Sequence, residues 1–246
     1  TQSRSSASWA RAVAAVAGGK YGKLLVSKAW ASKPGSGRRS IGFKEDKKPP
    51  AGLDFNLWLG PAREMPYNEN LVHYNWHWFW ATGNGEIGNQ GVHQMDIARW
   101  AIPGPALPKS VVSMGGRWVE GDGFKDQAET PNCQVTVMDF GGPLLVFEVV
   151  GLVEKAGVDG KKYPKKVGNE FFMEAGVIRG GKFYANGSDK GEELPEHEYQ
   201  KGYGNTPDGI DPHFQNFIDC VRSRDRSKLY ADVTEAHPSA ACCHLG

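Results

Sequence analysis

The stretch Gly88-Asn89-Gln90-Gly91-Val92-His93-Gln94-Met95-Asp96-Ile97-Ala98-Arg99-Trp100 holds the groups best spaced for chemistry in this chain. On a helix, Asn89, His93 and Asp96 fall at i, i+4 and i+7 and share a face, and Gly91 allows a close approach near the helix start. A histidine in that setting is a general acid/base that changes charge near pH 7, with Asp96 to orient it or to cap a neighbour. The competing reading is a hydrogen-bonded interior histidine, with Asp96 and Arg99 in structural pairs.

His73 and His77 lie four apart, and with His93 they offer three nitrogens to a zinc ion. Bulky aromatic neighbours and the lack of a carboxylate at ligand spacing weigh against a metal there, so none is expected. His213 precedes a helical face and can enter the same cleft. Cys133, Cys220, Cys242 and Cys243 read as small interior residues rather than nucleophiles, because no C-x-x-C occurs. Four of the eight tryptophans, Trp58, Trp76, Trp78 and Trp80, crowd into 23 residues. Such a cluster builds either a core wall or a ligand-facing wall.

The elements that must position these groups follow from periodicity. Ser5 to Gly18 reads as an amphipathic helix and Lys23 to Ala31 as a strand. A basic loop without period runs from Lys33 to Pro50. A helix is expected from about Ile87 to Trp100, ended by Pro103-Gly104-Pro105. Strands are expected over Ser110–Val119, Cys133–Phe140, Leu144–Leu152, Asn169–Arg179 and Lys182–Ala185, with Gly141-Gly142 as a hairpin turn. Residues 187 to 209 read as polar turns. A helix from Pro212 to Ser223 carries Phe214, Phe217, Ile218 and Val221 on one face, and a last helix starts near Asp232. The order predicts an α+β fold with an open, mostly antiparallel β-sheet and helices on one face.

Composition excludes several classes. With 29 Lys+Arg against 28 Asp+Glu, the 246-residue chain has no field to gather nucleic acid or an anionic membrane. No apolar run reaches the roughly 18–20 residues a bilayer helix needs. Few cysteines and no apolar signal core point to the cytoplasm, with export through an upstream leader as the alternative. The 32 glycines are about twice average usage and imply a turn-rich chain. Neither G-x-G-x-x-G between a strand and a helix nor G-x-x-x-x-G-K-[ST] occurs, so no phosphate-cradling loop is visible.

Gly85-Glu86-Ile87-Gly88-Asn89-Gln90-Gly91-Val92-His93-Gln94-Met95-Asp96-Ile97-Ala98-Arg99-Trp100, with Trp58-Leu59-Gly60-Pro61 and Tyr74-Asn75-Trp76-His77-Trp78-Phe79-Trp80 upstream, resembles the Gfo/Idh/MocA oxidoreductase family, in its branch with long aromatic loops. The resemblance implies the C-terminal domain of such an enzyme. Residues 1–20 would be a helix leading in from a missing Rossmann domain, and 21–246 an α+β substrate-binding and oligomerisation domain. It implies NAD or NADP as cofactor, held by that other domain, and a sugar, polyol or cyclitol as substrate. A homo-oligomer through the open sheet face is also implied.

The family's Asp-x-x-x-His pair falls on Asn89 and His93. A carboxamide binds a hydroxyl but cannot take its proton, which leaves His93 as the pair's one titrating group. Catalysis is therefore assigned to His93 and Asn89, and substrate contact to Trp76, His77, Trp80, Gln90, Asp96 and His213. Two alternatives remain at this stage. One is an NAD-dependent glycoside hydrolase or lyase working through transient sugar oxidation; the other is a non-catalytic or cofactor-free binding and assembly module.

Overall fold

The first helix, α1 (Ala7–Ala17), follows a 3-10 turn at Gln2–Ser5 and buries Ala10, Ala12, Ala15 and Val16. These small residues let it lie close against its neighbours. The computed structural model describes residues 1–32, 40–118, 125–151, 167–196 and 211–246. Strand β1 (Leu24–Ala31) comes next, and short α2 (Phe55–Leu59) starts at Asp54, whose side chain accepts from the Leu57 amide. After α3 (Gly91–Trp100) come β2 (Ser110–Gly116), β3 (Cys133–Asp139), β4 (Leu144–Val150), β5 (Val167–Met173), β6 (Gly176–Arg179), β7 (Lys182–Ala185) and β8 (Gly191–Glu193). Two helices close the chain, α4 (Pro212–Ser223) and α5 (Val233–Leu245).

All eight strands form one sheet in the order β2-β3-β4-β1-β5-β6-β7-β8. Only β1 and β4 run parallel; every other neighbouring pair is antiparallel. The expected open α+β sheet is therefore present. Alternation along the strands sends Met138, Leu145, Phe147, Phe171 and Ile178 to one face, where α1, α3 and α5 cover them in a single core. Each such side chain adds about 1.5–3 kcal/mol by leaving water. The other face presents Val112, Met114, Val135 and Phe172, with Met114 77% exposed, interrupted by the Lys28–Glu148 ion pair.

Several expectations are corrected. The expected 169–179 strand is two strands, because Glu174-Ala175 turns the chain before Gly176. The helix expected from Ile87 begins at Gly91, and residues 87–90 are turns. Strand β8 lies in a segment expected to be only turns. The apolar face of α4 is uncovered among the described residues: Phe214 is 63% and Phe217 59% exposed, whereas Cys220 is buried. Residues 33–39 of the basic loop, Val119, Leu152 and 197–209 of the turn segment lie outside the described residues.

Residues 41–79 build a second, smaller core from Phe55, Leu59, Tyr67, Leu71 and Phe79. Asn68 donates to the Lys44 carbonyl at 2.7 Å and Asn70 to Gln127 Oε1 at 2.8 Å, while Asp126 accepts from the Ile41 amide and pairs with Arg117. This aromatic segment is a packed wall beside the sheet.

Candidate active site

Helix α3 is fastened to the sheet by buried polar groups. Ser27 of β1 donates to the Ala98 carbonyl at 2.9 Å, and Asn169 of β5 donates to the Gln94 carbonyl at 2.8 Å. Gly91 lets the helix start settle onto the sheet: a Cβ there would stand 2.9 Å from both the Phe147 ring and the Glu86 carbonyl oxygen. That is the close approach the sequence anticipates at this position.

At this anchored end the backbone turns tightly. The Asn89 amide donates to the Gly85 carbonyl and the Gly91 amide to Glu86, while the His93 amide reaches the Gln90 carbonyl. The Asn89 side chain donates through Nδ2 to Glu86 Oε2 at 3.1 Å, and Gln90 donates to Gln94 Oε1 at 3.1 Å. Glu86 is buried, whereas Asn89, Gln90 and His93 are half-buried. With Nδ2 given to Glu86, Asn89 keeps its carbonyl oxygen to accept from a ligand hydroxyl. Glu86 is the partner of Asn89 that the sequence reading did not single out, although its spacing of three from Asn89 was in view.

The aromatic wall meets this turn. A cleft of about 100 Å³ is lined by Trp76, His77, Gly83, Asn84, Gly85, Gly88 and Asn89. Trp76 and His77 stack with ring centroids 3.7 Å apart, and His77 Nδ1 bonds to the Tyr74 carbonyl. Gly83 is required by the approach: a Cβ would stand 2.6 Å from the His77 carbonyl oxygen. Asn84 ties the rim to the end of α5 by donating to the Cys243 carbonyl at 3.1 Å.

Trp76, His77 and Asn89 thus line one cleft, whereas Gln90 and His93, on the same turn and the one that follows, are not among its lining residues. Trp80 stands apart, 59% exposed, its amide bonded to Glu129. His213 lies at the start of α4, where Nδ1 pairs with the Ser5 hydroxyl at 2.9 Å. His73 is exposed, and no group of three His, Cys, Asp or Glu side chains suited to a metal occurs among the described residues. His73, His77 and His93 are not brought together as such a group.

Asp96 also departs from its expected place. It is fully buried, with Arg4 Nε at 3.0 Å and the Ser239 hydroxyl at 2.7 Å. Burial alone would raise its pKa, but the hydrogen bonds and the charge of Arg4 hold it below the ordinary value. Its carboxylate is committed to this cluster and does not face the cleft. Arg99 joins the same network, donating to Ser239 Oγ at 2.7 Å and to Glu235 Oε2 at 2.7 Å. Beside them, desolvation pushes the Cys242 thiol up to about 11, and burial raises Cys243 as well. Both are protonated packing groups rather than nucleophiles.

Residues 36–105, which include the turn and the aromatic wall, match the family GFO_IDH_MocA_C2, described as "Oxidoreductase family, C-terminal alpha/beta domain". Residues 36–105 thus resemble the C-terminal domain of that family. Solved structures extend the likeness in fold to nearly every residue. An oxidoreductase from Thermotoga maritima superposes with a TM-score of 0.57 at 11% identity, covering 99% of this chain and 57% of that one. The WlbA dehydrogenase from Bordetella pertussis, solved with NADH and UDP-GlcNAcA, gives 0.51 at 14% identity, covering 98% and 56%. GenD2 from gentamicin A biosynthesis, solved with NAD, gives 0.52 at 14% identity, covering 97% and 57%. No curated protein matches the sequence. The chain spans just under three fifths of the length of these structures. Among the described residues no helix is long and apolar enough to cross a membrane.

Proposed function

We propose that this chain forms the substrate side of an NAD(P)-dependent oxidoreductase acting on a sugar, polyol or cyclitol. The observation that carries it is the meeting of Asn89, held by Glu86, with the Trp76–His77 stack, in the turn that leads into the helix carrying His93. The aromatic wall suits the apolar face of a sugar ring. Asn89 binds a ring hydroxyl through its carbonyl oxygen, and His93 takes the proton from the hydroxyl being oxidised and returns it in the reverse direction.

These residues do not fit a dinucleotide. The one parallel pair, β1 and β4, is joined through α2, α3, β2 and β3 rather than by a glycine loop opening a helix, so no pyrophosphate cradle exists among the described residues. The electron acceptor must be held elsewhere, in keeping with a Rossmann domain preceding residues 1–20. The chain's own residues bind, orient and move a proton.

The test is sugar-dependent NAD(P)H formation by the protein that joins this chain to its cofactor-binding domain. Turnover with NADH release supports oxidation; aglycone release without net NADH would replace it by the hydrolase or lyase reading. We further propose that the open sheet face, with Val112 66% exposed and Met114 beside it, pairs two copies of the chain. Sedimentation should show a dimer or larger species that Met114→Lys weakens, and a monomer at micromolar concentration rejects the pairing.

A further inference from the structure

Trp76 is a wall of two cavities. On one side is the 100 Å³ cleft with His77 and Asn89. Next to it lies a space of about 510 Å³ lined by Trp58, Leu59, Pro61, Ala62, Trp76, Ala81 and Thr82. The two adjoin along the chain as well: Trp76 and Thr82 border the larger space, and the residues after them, His77 and Gly83, border the smaller. The smaller cleft has room for roughly three water-sized groups, enough for the reacting edge of one ring. The larger is about five times that volume and falls within the roughly 300–1,000 Å³ of small-molecule sites.

The lining of the larger cavity is chemically selective. Among the described residues it offers two indole rings, three aliphatic side chains, a proline and one hydroxyl, and no charged side chain. The Thr82 hydroxyl already donates to the Trp76 carbonyl at 2.7 Å, which fixes the wall. Trp58 stacks on Phe55 with centroids 5.5 Å apart, so its ring rests on the second core. A diphosphate brought here would lose its hydration against apolar walls with no lining cation to replace it. A neutral ring would gain the faces of two tryptophans.

From this we infer that the Trp58–Trp76 cavity is a subsite for a second, uncharged ring attached to the reacting sugar, so that the preferred ligand is a neutral disaccharide or aryl glycoside rather than a free monosaccharide or a nucleotide sugar. The inference rests on the sugar-binding reading of the Asn89 cleft.

Calorimetry on the chain separates the two. The probes are the methyl glycosides of glucose, galactose and N-acetylglucosamine, the 4-nitrophenyl glycosides and β-linked disaccharides of the same sugars, and their UDP derivatives. For the sugar that binds, the two-ring probes should bind about tenfold tighter than the methyl glycoside, and the UDP derivative no tighter than the methyl glycoside. Trp58→Ala should erase that tenfold gain and leave methyl-glycoside affinity unchanged, and Trp58→Phe should retain most of it. Ala81→Trp fills the cavity from its exposed rim, leaves every residue of the second core in place and should erase the gain too, which covers the case of a misfolded Trp58→Ala. Disaccharide and aryl glycoside arms show which second ring is preferred. Equal affinity for one-ring and two-ring probes, a gain that survives both cavity variants, or tightest binding of the UDP derivative overturns the subsite and leaves the sugar cleft standing. No saturable binding of any probe overturns both.

Discussion

The two ends of α3 use polar residues in opposite ways. At the amino-terminal end Asn89, Gln90 and His93 are half-buried and bonded to near neighbours within the same turns. Toward the carboxyl end Asp96 and Arg99 are buried and joined to Arg4, Glu235 and Ser239, which tie the chain's first turn and α5 to the helix. A buried pair is poor material for recognition, since its hydrogen-bonding capacity is spent internally. Half-buried groups on a fixed backbone remain within reach of a ligand. One end of the helix therefore holds the domain together, and that rigidity is what presents the other end.

The comparison breaks if the two ends respond alike to truncation. His93→Ala should reduce turnover by about 10²–10⁴-fold and move folding stability by less than about 1 kcal/mol. Unchanged kcat with intact cofactor binding would remove His93 from the chemistry. Asp96→Ala should do the reverse: a loss of about 3–5 kcal/mol in urea unfolding, because Arg4 is left buried without its partner. A stability loss below about 1 kcal/mol would show that the cluster does not bind the first turn to α3.

The amino-terminal end of α3 was partly legible in the sequence because its groups are local. The close approach at Gly91 was read as such, although Asn89 lies in the turn before the helix and not at a helical i, i+4 position to His93. The Asp96 cluster was not, since Arg4 lies 92 and Ser239 143 positions away and no periodicity joins them. The same limit explains α4. Its start near Pro212 and its phenylalanine face were read as such, but amphipathicity shows a face without showing what covers it. The split between β5 and β6 escaped because apolar residues continue through Met173, Val177 and Ile178, while the break at Glu174-Ala175 lacks a strong turn residue until Gly176. The short α2 and the polar, three-residue β8 are too brief for any period to register.

Acid sharpens the contrast between the two ends. The Asp96 carboxyl sits below its ordinary value, so the stability it confers is complete above the unfolded value of about 3.9 and is lost as pH falls below that through the depressed folded value. The parent should lose stability across that acid range more steeply than Asp96→Asn, as read by thermal melts at stepped pH. Parallel curves would mean that Asp96 does not drive the acid response.

The smallest effect probes the active end itself. Asn89→Asp restores the carboxylate that the resemblance predicts, but it also sets a second carboxyl where Asn89 Nδ2 now lies 3.1 Å from Glu86 Oε2. Two carboxylates that close cannot both ionise cheaply, so one retains its proton and its folded pKa rises above the unfolded value. A raised carboxyl costs nothing in acid, where both states are protonated, and its cost grows as pH climbs from about 4 toward the raised value. The variant should therefore match the parent near pH 4 and fall about 1–2 kcal/mol below it at neutral pH, measured by urea unfolding at both. A gap that does not change with pH would show that Glu86 does not face residue 89, and the amide of Asn89 would then be free to turn either of its ends to a ligand.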